Sequence, residues 1–147
     1  MKKIYLLILF QLIQFHIYAE GNFAEYLVNR ATLLLGQPHT DEFRLRPIGP
    51  AAFDINNAEI FVDVRNGIII GTEIIQTFDT FDDAKDFYNI FNFYFENSNW
   101  VYNIGGKDYK IFMFESIYAG LNTPIRNSEG FIQGWIGFSK DIQMLTP

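Results

Sequence analysis

A single imidazole limits the acid–base chemistry of this chain. His39 is the only histidine outside the N-terminal hydrophobic segment, and it stands two residues before Asp41. An imidazole beside a carboxylate can act as a general base or hold a metal ion near neutral pH. Arg44 and Arg46 follow, so residues 37–57 are where an active site would be predicted. The alternative interpretation, which the sequence favours, is a solvated loop histidine that follows a helix end.

The other residue patterns that commonly mark catalysis are missing. The chain has no cysteine, which excludes thiolate nucleophiles and cysteine zinc sites. Gly105-Gly106 lies between predicted strands and does not open a helix, so it is not a phosphate-binding loop. None of the serines in the body of the chain stands in a Gly-x-Ser-x-Gly nucleophile context: Ser98, Ser116, Ser128 and Ser139. We therefore predict no cofactor, and the sequence favours a non-catalytic protein over an enzyme.

Two groups of carboxylates invite a chemical interpretation. The densest group of carboxylates consists of Asp79, Asp82, Asp83 and Asp86. Their oxygens could bind calcium, but the group has neither the spacing of a calcium-binding loop nor the glycine that its turn needs. Aspartates in the first turn of a helix are ordinary capping residues. The second group lies on or beside predicted strands, where glycosidic cleavage would need two acids across a cleft: Asp63, Glu73, Glu115 and Glu129. No feature of the sequence selects two of these four, and we predict no metal site.

Aromatic residues are the remaining candidates for ligand contact, since they make up 18% of the chain. Five of them come from strands and a loop of the C-terminal half, and on an exposed sheet face they would form a platform for a sugar, a peptide or a partner protein: Trp100, Tyr102, Tyr109, Tyr118 and Trp135. The alternative is that they are core residues. Trp135 is the best exception to a core role, because Gly134 and Gly137 leave its indole accessible.

The N-terminal residues predict where the protein works. Met1-Lys2-Lys3 is a short basic start, an apolar run covers residues 4–13, and Ile17-Tyr18-Ala19 precedes a polar stretch. This is the layout of a bacterial secretory signal peptide cleaved after Ala19, so we expect an exported protein, periplasmic or secreted. The rival interpretation is a membrane anchor, but a spanning helix needs about 20 apolar residues and this segment contains Gln11.

Composition narrows the partners of the mature chain. Cleavage after Ala19 would leave residues 20–147 as a single domain without disulfides, held together by packing alone. It would leave nine basic against 17 acidic residues and a net charge of −8. Because nucleic acid and anionic lipid heads repel such a domain, we predict no nucleic-acid partner and no stable membrane insertion after cleavage. A protein, a peptide or a small molecule remains as the partner.

The hydrophobic periodicity predicts the elements that would position these residues. The first predicted helix covers residues 23–35 and ends at Gly36 and Pro38. A predicted hairpin follows, with strands over 59–65 and 68–78 and a turn at Asn66-Gly67. A second helix is predicted over 81–97. Residues 100–104 and 109–114 are predicted to form a second hairpin. A polar loop over 116–129 and a last strand over 130–139 complete the chain. Residues 43–46 are a further candidate strand. The order α-ββ-α-ββ-β predicts an α+β two-layer domain with an antiparallel sheet of about five strands.

One helix-to-hairpin step resembles small exported domains of the β-lactamase-inhibitor-protein type. It consists of Leu34-Leu35-Gly36-Gln37-Pro38, followed downstream by Val64-Arg65-Asn66-Gly67-Ile68. In those domains a helix ends at a Leu-Gly-x-Pro step and a hairpin follows. The resemblance covers about a tenth of the chain, and any capped helix before a hairpin would show it. No function is carried across.

Three functions follow from these observations. The first is a small exported binding or interaction domain without catalysis. The second is a carrier that holds an apolar ligand in a cavity between helices and sheet, because the second helix is apolar around most of its circumference; Phe87, Phe91, Ile111 and Met113 would line that cavity. The third is an enzyme built on residues 37–57.

Overall fold

An antiparallel sheet organises the fold of the computed structural model, which describes residues 23–39 and 58–145 and the backbone of 44–45. Six strands have five residues or more: β2 Glu59–Arg65, β3 Ile68–Phe78, β4 Val101–Gly105, β5 Tyr109–Phe114, β6 Ile117–Arg126 and β7 Ile132–Ser139. A two-residue strand, β1 Arg44–Leu45, flanks β2. The order across the sheet is β1-β2-β3-β7-β6-β5-β4. The α+β class is confirmed.

The expected strand count of five is wrong, because the segment predicted as a polar loop contains β6. Residues 117–121 alternate between the two sides of the sheet, and β6 pairs with both β5 and β7. Pro124 lies inside this strand, where proline normally argues against a central position. The register shifts between Asn122 and Ile125, and this bulge accommodates the proline that cannot donate to the ladder.

Two helices pack on one face of the sheet, which we call the helix face. Helix α1 covers residues 23–34 and buries Phe23, Leu27, Val28 and Ala31 at helical spacing. Helix α2 is Phe81–Glu96, and the Thr80 hydroxyl caps its N-terminus by accepting from the Asp83 N–H at 3.1 Å. Its buried stripe is Ala84, Phe87, Phe91 and Phe95.

The end of α1 is tied to the start of β3. Gly36 has a φ of 83°, the left-handed conformation expected of a C-terminal glycine. Its N–H donates to the Ile69 carbonyl at 2.8 Å, and the Ile69 N–H donates to the Gln37 carbonyl at 3.0 Å. In the β2–β3 turn, Asn66 and Gly67 both have positive φ, as the Asn-Gly pair predicts.

Aromatic packing fills the core between the helices and the sheet. The Phe87 and Phe91 rings lie 4.8 Å apart, and Phe95 stacks on Phe112 at the same centroid distance. A Cβ at Gly134 would collide with the Phe87 ring, so this glycine lets α2 approach β7 closely. The helix side of the sheet is therefore tightly filled at these positions.

The opposite face of the sheet, which we call the open face, carries no long helix within the described residues. A 3-10 helix, Ile142–Met144, follows β7, and its Asp141 cap accepts from the Gln143 N–H. Leu145 after it is only 5% exposed. The Leu145 side chain lies against Gly120 and Gly137, so the C-terminal turn covers one half of the open face. The described part of the C-terminal segment, residues 141–145, is thus packed on the sheet.

The N-terminal predictions fall outside the described residues. The predicted signal peptide and its cleavage after Ala19 lie outside the described residues. Asp41, Phe43 and Arg46 likewise lie outside them, and Arg44 is described by its backbone alone. Among the residues that are described, no helix is long and apolar enough to cross a membrane.

Candidate functional site

Four side chains form a row across the half of the open face that the C-terminal turn does not cover. Tyr109, Asn122, Trp135 and Ile75 are register partners on the neighbouring strands β5, β6, β7 and β3. All four side chains are half-buried, so each retains some exposure to solvent. Gln133 lies two residues before Trp135 on the same face. We call these residues, together with Thr77, the uncovered half of the open face.

The Trp135 indole lies along β7 over two glycines. A Cβ at Gly137 would come within 2.5 Å of two carbons of its six-membered ring, and one at Gly120 within 3.4 Å of a third. Both glycines are buried. Because neither has a side chain, the ring rests close to the backbone of β7 and β6, with Leu145 beside it. This packing fixes the position of the ring on the open face, where the Trp135 side chain stays half-buried.

The Glu73 carboxyl group lies beside this ring. Burial is the main reason why the pKa of Glu73 is raised, and the charge of Asp63 on β2 raises it further. A hydrogen-bonding contact from the Trp135 indole N–H lowers the pKa of Glu73, but by less than the other two effects raise it. The structure therefore brings Asp63 and Glu73 together out of the four strand carboxylates, and it joins Glu73 to Trp135.

Asn122 places an unsatisfied acceptor in the row. Its Oδ1 atom is buried and has no hydrogen-bond partner, although the side chain as a whole is half-buried. Leaving such an oxygen without a partner costs free energy. Because the atom is buried, a ligand would reach it only after the Asn122 side chain turns outward. Tyr109 and Trp135 flank Asn122 on either side, so this acceptor lies between two aromatic residues.

Two of the five predicted aromatic residues lie on the helix side of the sheet. Trp100 is 9% exposed and packs in the core against Phe95 and Phe138, with ring centroids 5.3 and 6.2 Å away. Tyr102 pairs with Phe112 and is 56% exposed at the free edge strand β4. Neither residue contributes to the uncovered half of the open face.

The other three predicted aromatics share the open face. Trp135 and Tyr109 belong to the row described above. Tyr118 is paired with Ser139 and Met113, two positions along β6 from Gly120 and toward the covered half. Hence the five aromatics do not form one platform, and the open face brings together Tyr109, Tyr118 and Trp135.

The residues of the alternative functions are not gathered into one site. Ile111 and Met113 alternate with Phe112 and point to the open face, while Phe87 and Phe91 belong to the buried stripe of α2 on the helix face. The four side chains therefore do not surround one cavity. His39 is tied to the β2–β3 turn through its N–H, which donates to the Gly67 carbonyl at 2.8 Å. Within the described ranges, three or more histidine or carboxylate side chains nowhere converge as metal ligands.

Sequence reasoning missed Asn122, Gln133 and Ile75 as neighbours of Trp135. Asn122 was assigned to the loop 116–129, because Thr123, Pro124 and Asn127 obscured the strand. The signal that would have found it is the alternation in residues 117–122, where Ile117, Ala119 and Leu121 share one side. Tyr118, Gly120 and Asn122 share the other.

Comparison of the chain with protein-family models, with curated proteins and with solved structures returned no match. The function therefore has to be argued from the geometry of the open face.

Proposed function

We propose that this protein is an exported binding domain without catalysis, which takes its ligand on the uncovered half of the open face. The observation that carries the proposal is the row of half-buried side chains across four strands, with Asn122 Oδ1 unsatisfied between Tyr109 and Trp135. An aromatic surface with a few convergent polar groups is the usual composition of a ligand site. Export is supported by the signal-peptide layout of residues 1–19.

The packing of the two faces favours the open face over an internal cavity. On the helix face, the rings of Phe87, Phe91 and Phe95 contact each other or the sheet. On the open face, Trp135 is half-buried, and Leu145 of the C-terminal turn lies beside the end of its ring. A ligand therefore reaches Trp135 without any rearrangement of the core.

The test is a native mass spectrum of the protein isolated from the periplasmic or extracellular fraction of its own host. Wild type is compared with Gln133→Arg, which places a long charged side chain on the uncovered half. Asn89→Arg is the control, since Asn89 is exposed on α2 in the helix layer. We expect a bound species on wild type and on Asn89→Arg, and its loss from Gln133→Arg.

Two results would contradict the proposal. One is a wild-type chain at its bare mass under conditions that preserve non-covalent complexes. The other is a bound species that Gln133→Arg retains while it remains folded, because the ligand would then lie elsewhere. Circular dichroism of both variants establishes that they are folded.

A further inference from the structure

We infer that the C-terminal turn, residues 141–145, is an autoinhibitory segment that a peptide ligand displaces. The peptide lies on the uncovered half of the open face and seats one aliphatic side chain at the place that Leu145 fills in this structure. This step rests on the proposed function and names the class of its ligand. Three observations support it: how the turn is held, what lies beneath it and what lies beside it.

The C-terminal turn lies on the sheet without joining its hydrogen-bond ladder. The Met144 N–H donates to the Asp141 carbonyl at 3.2 Å, and the Leu145 N–H donates within the turn to Ile142 at 3.0 Å. Where β7 ends, the Ser139 hydroxyl accepts from the Asp141 N–H. Among the described residues, no backbone–backbone hydrogen bond joins these four turn residues to a strand. Release of the turn would therefore break no backbone pair of the sheet.

Glycines form the floor on which the turn rests. A Cβ at Gly120 would lie 3.2 Å from the Leu145 Cβ, and one at Gly137 would lie 2.9 Å from a Leu145 methyl carbon. A Cβ at Gly71 would lie 3.2 Å from the Met144 methyl carbon. The backbone of three strands is thus accessible to an aliphatic side chain here. The turn itself shows which chemistry fits, because Leu145 is buried against this floor.

One buried leucine gives only a limited bias toward the docked turn. Burial of an aliphatic side chain of this size favours the docked state about 10- to 100-fold. Met144 contributes less, because it remains exposed. We therefore expect the turn to be undocked in about 1–10% of molecules, a population from which a ligand can select. A peptide that brings its own aliphatic side chain to the glycines offsets the loss of Leu145.

The uncovered half begins where the turn ends. Leu145 and the Trp135 ring both lie over the same glycine of β7, so the turn and the uncovered half meet at that ring. Beyond it, Ile125 is the register partner of Gln133, and Phe131 lies two residues before Gln133. Both apolar side chains are exposed. A peptide anchored in place of Leu145 therefore continues over apolar side chains and an amide, the mixture found in peptide sites.

Carboxylates flank this site on the side of β2 and β3. Glu59 is the register partner of Ile75, and Asp63 is that of Gly71. Glu73 lies on β3 between these two positions. Because the three carboxylates repel an acidic peptide, we expect the ligand to be a neutral or basic peptide with a leucine or isoleucine anchor.

The experiment measures how a synthetic peptide with the sequence of residues 140–147, amidated at its C-terminus and rhodamine-labelled, binds the full-length protein. Leu145→Asp releases the turn and is compared, by fluorescence anisotropy, with wild type and with Leu33→Asp at an exposed site on α1. We expect the peptide to bind Leu145→Asp about tenfold more tightly than the other two. The same peptide with aspartate in place of its leucine should bind none of them.

Further changes in the Leu145→Asp chain locate the peptide. Gly120→Val places a branched side chain where the leucine rests, and Gln133→Arg blocks the uncovered half. We expect each to weaken peptide binding about tenfold or more, while Asn89→Arg on the exposed side of α2 leaves it unchanged. Circular dichroism establishes that the variants are folded, and Leu145→Ala repeats the comparison with a smaller change.

The outcomes separate this inference from the proposed function. If Leu145→Asp and Leu145→Ala bind the peptide no more tightly than wild type, the turn is not a competitor and the inference is overturned. Unchanged binding to the Gly120→Val chain overturns it as well. The proposed function survives either result if the species isolated from the host is lost from Gln133→Arg. If Gln133→Arg retains that species too, both proposals fall.

Discussion

At the residue scale, the two tryptophans show how position on the sheet decides the role of a side chain. Trp100 lies at the start of β4 and enters the core, where its indole contacts Phe95 and Phe138. Trp135 has glycine neighbours on the open face and rests over them. The sequence argument for Trp135 used Gly134 and Gly137, but only Gly137 lies on the open face. Gly134 lies against Phe87 on the helix face, and the second glycine beneath the ring is Gly120. The burial of Trp100 was not predictable, because it depends on rings contributed by α2 and β7.

Glu73 leads to a prediction on pH dependence. Because burial, and secondarily Asp63, raises its folded pKa above the ordinary 4.5, the folded protein retains this proton to higher pH than the unfolded chain. Stability attributable to Glu73 is therefore present below pH 4.5 and is lost as the pH rises through the folded pKa. Glu73→Gln removes that loss and keeps an acceptor for the Trp135 N–H.

The measurement is the thermal midpoint of Glu73→Gln and wild type across this range. We expect the variant to melt higher at pH 7, with the difference shrinking as the pH falls toward 4.5. Glu115→Gln is the control, since Glu115 is exposed in the β5–β6 turn. A variant that melts lower than wild type by the same amount at every pH would contradict this account of Glu73.

At the element scale, the strongly marked segments were predictable and the irregular ones were not. The β2–β3 hairpin has the bounds that its alternation and its Asn-Gly turn predict, and Thr80 marks the start of α2. β6 was missed because local turn signals dominate its second half, whereas its pairing with β5 and β7 keeps it extended. The C-terminal turn was missed because only its docking on Gly120 and Gly137 orders it.

The C-terminal turn yields a stability prediction. Leu145 is 5% exposed and fills the space over Gly120 and Gly137 beside the Trp135 ring. We expect Leu145→Ala to lower the free energy of unfolding by about 2 kcal/mol, the lower end for a buried leucine. Leu33→Ala, at a site 74% exposed on α1, should change it by less than about 0.5 kcal/mol.

Urea denaturation of both variants measures this difference. Equal stabilities for Leu145→Ala and Leu33→Ala would mean that the turn does not dock on the sheet in solution. In that case the open face would be exposed along its whole length, and the boundary of the proposed site beside Trp135 would be lost.

At the scale of the whole molecule, the two faces of the sheet have different roles: one carries the core and the other carries the proposed site. The helix layer and the sheet bury seven aromatic side chains between them, and this core stabilises a chain that has no cysteine. The open face is left with a row of polar and aromatic groups. The α+β class followed from the order of elements, but the choice of face could not be predicted, because it required knowing where the C-terminal residues dock.

The free edge of the sheet is distinct from this site. β4 exposes Val101, Tyr102 and Ile104, and its register with β5 shifts between Tyr102 and Ile104. A bulge of this kind twists an edge strand and discourages pairing with another chain. The edge is therefore not needed to explain binding on the open face.

The most direct test of the central claim is a two-dimensional NMR titration of the isotope-labelled protein with the species released from natively isolated protein. Its two indole N–H resonances, from Trp135 and Trp100, report the open face and the core in one spectrum. We predict that the Trp135 resonance and the side-chain amides of Asn122 and Gln133 shift on binding while Trp100 does not. Shifts confined to α1, α2 or β4, with an unchanged Trp135 indole, would contradict the account.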